Sequence, residues 1–177
     1  MQQAHTSRDV PTPAGSEDAL FFRPVGPSDG ARMHGFLSEL SLRSVQQRFW
    51  SGGPNLLRLT RELTGEEDPQ RRGVVACDQT GAIVAHAEYV LIEPGAAEVA
   101  VVVADRHQGR GLGTRLVEHL TIGAAAAGVT RFVASVHPDN GAMLRVFTRR
   151  FGATVRQFGD EARAMFELAP PALRDAA

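Results

Sequence analysis

The sequence predicts an α+β domain, with helices flanking a mixed, mostly antiparallel sheet. Three observations carry this reading. Apolar runs and alternations fall in the order β, helices, β-β-β, α, β, α, β-β, which is not the strict βαβ alternation of a doubly wound fold. Turn residues at 78–81 and 159–160 separate strand pairs closely enough for hairpins. A valine-rich run at 99–103 passes through a Gly-rich loop straight into an amphipathic helix.

Each element has its own signal. Residues 1–18 are rich in Pro, Ser, Thr and Gly without periodicity, and read as a disordered leader. A first strand over 20–25 is closed by Pro24 and the turn Gly26-Pro27, and Ser28 or Asp29 is expected to cap the next helix. That helix carries Met33, Phe36, Leu37 and Leu40 at helical spacing. A second short helix over 41–50 is stopped by Ser51-Gly52-Gly53-Pro54. Asn55 caps a third with Leu56, Leu57, Leu59 and Leu63, and 66–72 is a charged loop. Strands follow over 73–77, 82–92 and 97–104. A helix then runs to about Ala127, with Leu112, Leu116 and Leu120 on one face and Gly128 as its stop. A strand over 130–136 ends before Pro138. Asp139 or Asn140 caps a last helix with Met143, Leu144, Phe147 and Phe151, and strands over 153–158 and 163–168 close the domain. The expected organisation is a leader over 1–18, one domain over 19–168 and a loose tail over 169–177.

Composition narrows the function. The chain has 177 residues, enough for one domain with a real core. A net charge of −1 gives no electrostatic case for nucleic acid or an anionic membrane. No run of 18 apolar residues and no apolar secretory core are present, which fits a cytoplasmic protein. The single cysteine, Cys77, lies in a strand and reads as a buried, inert thiol. The six histidines show no metal-ligand spacing with Cys or acids, so no metal is expected.

The stretch from Val99 to Leu116 is the chemical centre. Glycines at 109, 111 and 113 let a ligand approach the backbone, and the first N–H groups of the following helix lack intrahelical partners. Such a corner suits a phosphate or pyrophosphate. The dinucleotide fingerprint fails on spacing, and an NTPase loop fails for want of Gly-Lys-Ser/Thr. A purely structural turn remains as the alternative.

Gln108-Gly109-Arg110-Gly111-Leu112-Gly113 resembles the Gln/Arg-x-x-Gly-x-Gly/Ala pyrophosphate loop of the GNAT family of N-acetyltransferases, and the likeness extends over 20–168. Arg23-Pro24, Leu40-Ser41-x-x-Ser44-x-x-x-Arg48-Phe49 and the run 97–103 resemble the Pat branch of bacterial and archaeal protein-lysine acetyltransferases. The chain leaves no room for the cyclic-nucleotide-binding or acyl-CoA-synthetase-like domains that some of that branch carry. The resemblance implies a GNAT fold with acetyl-CoA as acetyl donor. The backbone of Gly109, Arg110, Gly111, Leu112, Gly113 and Thr114 would hold the pyrophosphate. Val101, Val102 and Val103 would line the pantetheine arm, with the main chain of Val101 and Val103 pairing to it. Gln108 belongs to the loop motif, and Asn140 would contact the cofactor near its thiol end unless it is simply a helix cap. The implied partner is a protein substrate bearing lysine, an acyl-CoA synthetase among the candidates.

Acetyl transfer needs a neutral amine, yet a lysine ammonium has a pKa of about 10.4, so a base must take its proton. Glu98, ten residues before Gln108 and interrupting an apolar run, is the expected base in a partly desolvated setting. Glu88, on one strand face with His86, is the rival. Many GNATs protonate the leaving thiolate with a tyrosine in the last helix; here that segment has none, and Tyr89 is the chain's only tyrosine. His107 and His137 read as loop residues. Arg43, Arg48, Arg145, Arg149 and Arg150 read as solvated helix faces, and Phe49 and Trp50 as core. A small-amine acetyltransferase and a non-catalytic acyl-CoA sensor are the competing functions. The chain contains no lysine, so it cannot acetylate its own side chains at lysine.

Overall fold

A computed structural model describes residues 19–65, 68 and 70–169. The expected leader and all but the first residue of the expected tail lie outside them. The described residues form one seven-stranded sheet in the order β1-β2-β3-β4-β5-β7-β6. The strands are β1 (Phe21–Pro24), β2 (Arg71–Cys77), β3 (Ile83–Glu93), β4 (Ala96–Val103), β5 (Arg131–Val136), β6 (Thr154–Phe158) and β7 (Glu161–Glu167). Every neighbouring pair is antiparallel except β4 and β5.

Helices cover both faces because successive strand side chains alternate. On one side, α1 (Gly30–Ser38), α2 (Leu42–Phe49) and α3 (Leu56–Thr64) bring Met33, Phe36, Leu37, Val45 and Leu63 against Val75, Cys77, Val102 and Ala104. On the other, α4 (Leu112–Ala126) packs Leu116, Val117 and Leu120 with Ala76, Ala87, Val99, Phe132 and Phe166. Cys77 is buried and its thiol is pushed up by that burial, so it is the inert core thiol expected.

Several boundaries differ from the sequence reading. β2 begins at Arg71, inside the expected charged loop, because Arg71 and Arg72 pair with Val90 and Tyr89. β7 begins at Glu161, which pairs with Phe158 across a two-residue turn. The last helix is α5 (Gly141–Arg145) followed by a wider π turn over Val146–Arg150. Apolar spacing misses this, since Phe147 and Phe151 reach Phe166 from one face, at centroid distances of 5.6 and 5.0 Å. Asp29 sits at the N-cap of α1 but makes no side-chain cap. Its carboxylate instead accepts two bonds from Arg23, at 2.7 and 2.6 Å, and one from the Gly26 N–H. The Arg23 bonds hold Asp29 below the usual carboxylate range, and the pair fixes β1 to the entry of α1.

His86 is fully buried in β3, and neither ring nitrogen has a hydrogen-bond partner. Burial lowers its pKa from 6.5 to about 4, so the folded chain holds it neutral. The unfolded chain takes up this proton below about 6.5, whereas the folded one does so only near 4. The unfolded state therefore binds more protons across that window, and stability falls as pH drops through it. Denaturant melts between pH 7 and 4 should show a loss approaching about 3 kcal/mol that His86→Leu removes. An identical pH slope in the variant would contradict this account of His86.

Candidate active site

The site begins where β4 and β5 part. They pair over only three positions, Ala96 with Arg131, Ala97 with Phe132 and Glu98 with Val133. Gly95, with φ of 78°, anchors the closed end by accepting bonds from the Thr130 and Arg131 N–H groups at 2.8 and 3.1 Å. Beyond Glu98, β4 continues to Val103 with no strand on that side among the described residues, while β5 keeps its pairing with β7 on its other edge. The Ala104 N–H donates to Val84 at 2.9 Å, towards β3. Backbone polar groups alternate sides along a strand, so those of Val101 and Val103 face the gap. The Val103 carbonyl already accepts from Gln108 Nε2 at 3.1 Å, which leaves Val101 as the fully available edge residue.

A cavity of about 470 Å³ follows this edge to the start of α4. Of the expected cofactor residues, Val101, Val102, Val103, Gln108, Gly109, Gly111, Leu112, Gly113, Thr114 and Asn140 line it. Arg110 does not; it is exposed, with a guanidinium nitrogen 3.4 Å from His107 Nδ1. Gly109 and Gly111 adopt φ of 74° and 77°, a left-handed conformation that L side chains rarely take. Gly111 is the N-cap of α4 and offers no side-chain acceptor, so the first-turn N–H groups point to the cavity uncapped. Asn140 is a helix cap, its side chain accepting from the Met143 N–H at 3.1 Å, and it also lines the cavity.

A second cavity, of about 330 Å³, opens on the α2–α3 side of the sheet. Glu98 lines it, with Glu88, Arg71, Glu62, Phe49 and Trp50. Glu98 and Glu88 share this face, since Glu88 pairs with Ala100 and Val90 with Glu98. The expected partial desolvation of Glu98 is not met: it is exposed and lines this open cavity. Glu88 is the buried one, at 5% exposure. Arg48 and Arg71 each donate to one of its oxygens at 2.5 Å. Burial alone would raise Glu88, but the two guanidinium groups outweigh it and hold the carboxylate below its usual range. A carboxylate clamped in this way is a structural anion and a poor base.

Arg48 lines both cavities and forms the wall between them. It is therefore not the solvated helix residue expected; its partner, Glu88, lies forty residues away in sequence. Arg43 is exposed as expected, while Arg145, Arg149 and Arg150 line the first cavity and Arg150 pairs with Glu118 at 2.6 Å. Phe49 is half-buried, but Trp50 is 46% exposed, contrary to the core reading. Trp50 holds φ of 54°, the only non-glycine in the left-handed region among the described residues, and its ring lies 5.6 Å from that of His137. Tyr89 is buried against Phe132 on the α4 side.

Gly113 separates ligand space from folding constraint. A Cβ there would meet Met143 and Val101 at 3.8 and 4.0 Å, ordinary contacts, in a helical conformation that alanine favours. Gly113→Ala should therefore keep or raise the melting temperature while weakening acetyl-CoA binding in calorimetry. Unchanged affinity would show that the ligand does not approach this turn.

The model of the acetyltransferase (GNAT) family matches residues 40–153. Acetyltransferase Pat of Mycolicibacterium smegmatis is 32% identical over 152 residues, covering 84% of this chain and 45% of that protein, so the chain spans less than half of that relative. Among solved structures, the GNAT domain of S. lividans PAT is 30% identical with a TM-score of 0.75, over 83% of this chain and 89% of that one. The yncA acetyltransferase of Salmonella typhimurium, solved with acetyl-CoA, shares the fold at a TM-score of 0.65 and 22% identity, over 90% of this chain and 100% of that one. With its forked sheet, its uncapped Gly-rich helix start and these matches, the chain belongs to the GNAT family of acetyltransferases.

Proposed function

We infer that the chain transfers the acetyl group of acetyl-CoA to a primary amine, with a protein lysine side chain as acceptor. The observation that carries this reading is the pair of cavities on either side of Arg48, one with an anion-binding corner and one with a free carboxylate. The residues fit the cofactor: uncapped N–H groups at the start of α4 suit its pyrophosphate, and the open edge of β4 suits its amide-bearing arm. The likeness to Pat-type proteins and the exposed Trp50 at the mouth of the second cavity support a protein acceptor.

Acetyl-CoA, when bound, supplies an acetyl thioester. The amides over 109–114 would hold its pyrophosphate, and the main chain of Val101 would set its depth in the fork. Glu98, exposed beside the last paired position of β4 and β5, receives the ammonium proton directly or through water. The amine nitrogen would then form the new C–N bond to the thioester carbonyl carbon, and the C–S bond would break afterwards with its electron pair leaving on sulfur. A backbone N–H on the open edge of β4 stabilises the oxyanion that forms between these events. Tyr89 is walled off in the core, so the second amine proton would pass through water to the thiolate, which is a good leaving group.

Because the chain has no lysine, every acetyl-lysine side chain formed in a lysate incubated with it and acetyl-CoA belongs to another protein. Mass spectrometry should map such sites above the enzyme-free background. Turnover of a free amine without lysine labelling would replace the protein acceptor by a small one. In the same assay Glu98→Gln should lower kcat by about 100-fold or more, with acetyl-CoA affinity nearly intact. An unchanged kcat and pH–rate profile would remove Glu98 from the role of base.

A further inference from the structure

The polar cluster that ties the start of α2 to the cofactor loop is not explained by binding or by chemistry. Asp105, in the short turn after β4, accepts bonds from the Ser41 N–H at 3.0 Å, the Ser41 hydroxyl at 2.6 Å and the Ser44 hydroxyl at 2.9 Å. Gln108 donates to the Ser44 hydroxyl at 3.1 Å as well as to Val103. The next residue of the turn, Arg106, pairs with Glu39 at the end of α1 at 2.7 Å. These bonds join residues more than sixty positions apart in sequence.

The opposite end of α2 carries Arg48, the wall shared by both cavities and a partner of Glu88. Trp50 follows at its C-cap, in a left-handed conformation that a bulky residue holds only under restraint. One rigid helix of eight residues thus links the cofactor loop to the acceptor wall. Any shift of the loop over 105–109 on ligand binding is passed to α2 through Asp105, Ser44 and Gln108. We propose that Asp105 is a positioning residue that, through Ser41 and Ser44, makes the placement of Arg48 and Trp50 depend on occupation of the cofactor loop.

This rests on the coenzyme A reading of the first cavity, and Trp50, the chain's only tryptophan, reports on it without knowledge of the acceptor. Coenzyme A is titrated into the protein while binding heat and tryptophan emission are followed together. The wild-type chain should bind and change its emission with the same saturation. Asp105→Ala and Ser44→Ala, at saturating coenzyme A verified by heat, should lose most of that change. Asp78→Ala is the matched control. Asp78 collects a similar set of bonds, from Thr80 and Ala82, in a remote turn. It should cost stability and leave the emission change intact. A full response in Asp105→Ala, or binding to the wild type without any emission change, overturns the proposal. Absence of binding heat in the wild type would instead overturn the coenzyme A reading. Because Ser44→Ala deletes one hydroxyl, it keeps the test open if Asp105→Ala does not fold.

Discussion

The structure depends on one constraint, the early end of the only parallel pairing in the sheet. After Glu98 the edge of β4 has no strand partner among the described residues, and a row of backbone donors and acceptors stands open inside the molecule. Such groups are costly to bury unpaired, so they must meet water or a ligand. The fold holds them in place from behind, since β3 pairs with β4 along nearly its whole length. α4 then sets its positive end at the mouth of the gap. This edge is thus mainly backbone, and valines serve there because their side chains are used for packing against the two cores.

The face with the second cavity is built from charge in place of backbone. Glu88 is buried with two guanidinium partners, an arrangement in which removing one partner leaves an uncompensated charge. Its worth lies in fixing Arg48 between the two cavities. Glu98, ten residues further along the chain, has no such partner among the described residues and is exposed on the same face. The two carboxylates differ in their neighbours: two guanidinium groups clamp Glu88, and Glu98 stands exposed beside the second cavity.

Much of this was legible in the sequence, because local patterns encode local structure. The order of elements along the chain, the cap at Asn55 and the Gly-rich corner all follow from spacing and turn chemistry. What was not legible depended on partners distant in sequence. Arg48 looked solvated because Glu88 becomes its neighbour only after β3 enters the sheet beneath α2. Asp29 looked like a helix cap because Arg23 competes for it only once β1 is placed. Glu98 looked half-buried because an apolar run suggests cover on both faces, while Glu98 lines an open cavity. The pairing of Asp105 with Ser41 and Ser44 left only a trace, in serines at helical spacing with no apolar role.

The claim that the fork holds the cofactor is tested most directly by amide hydrogen exchange, resolved by residue, with and without coenzyme A. The account predicts that coenzyme A slows exchange at Val101 and Val103 and at the first-turn amides 112–114, with little change along β6 and β7. Binding that leaves those amides unprotected, or protects another edge of the sheet, would contradict it.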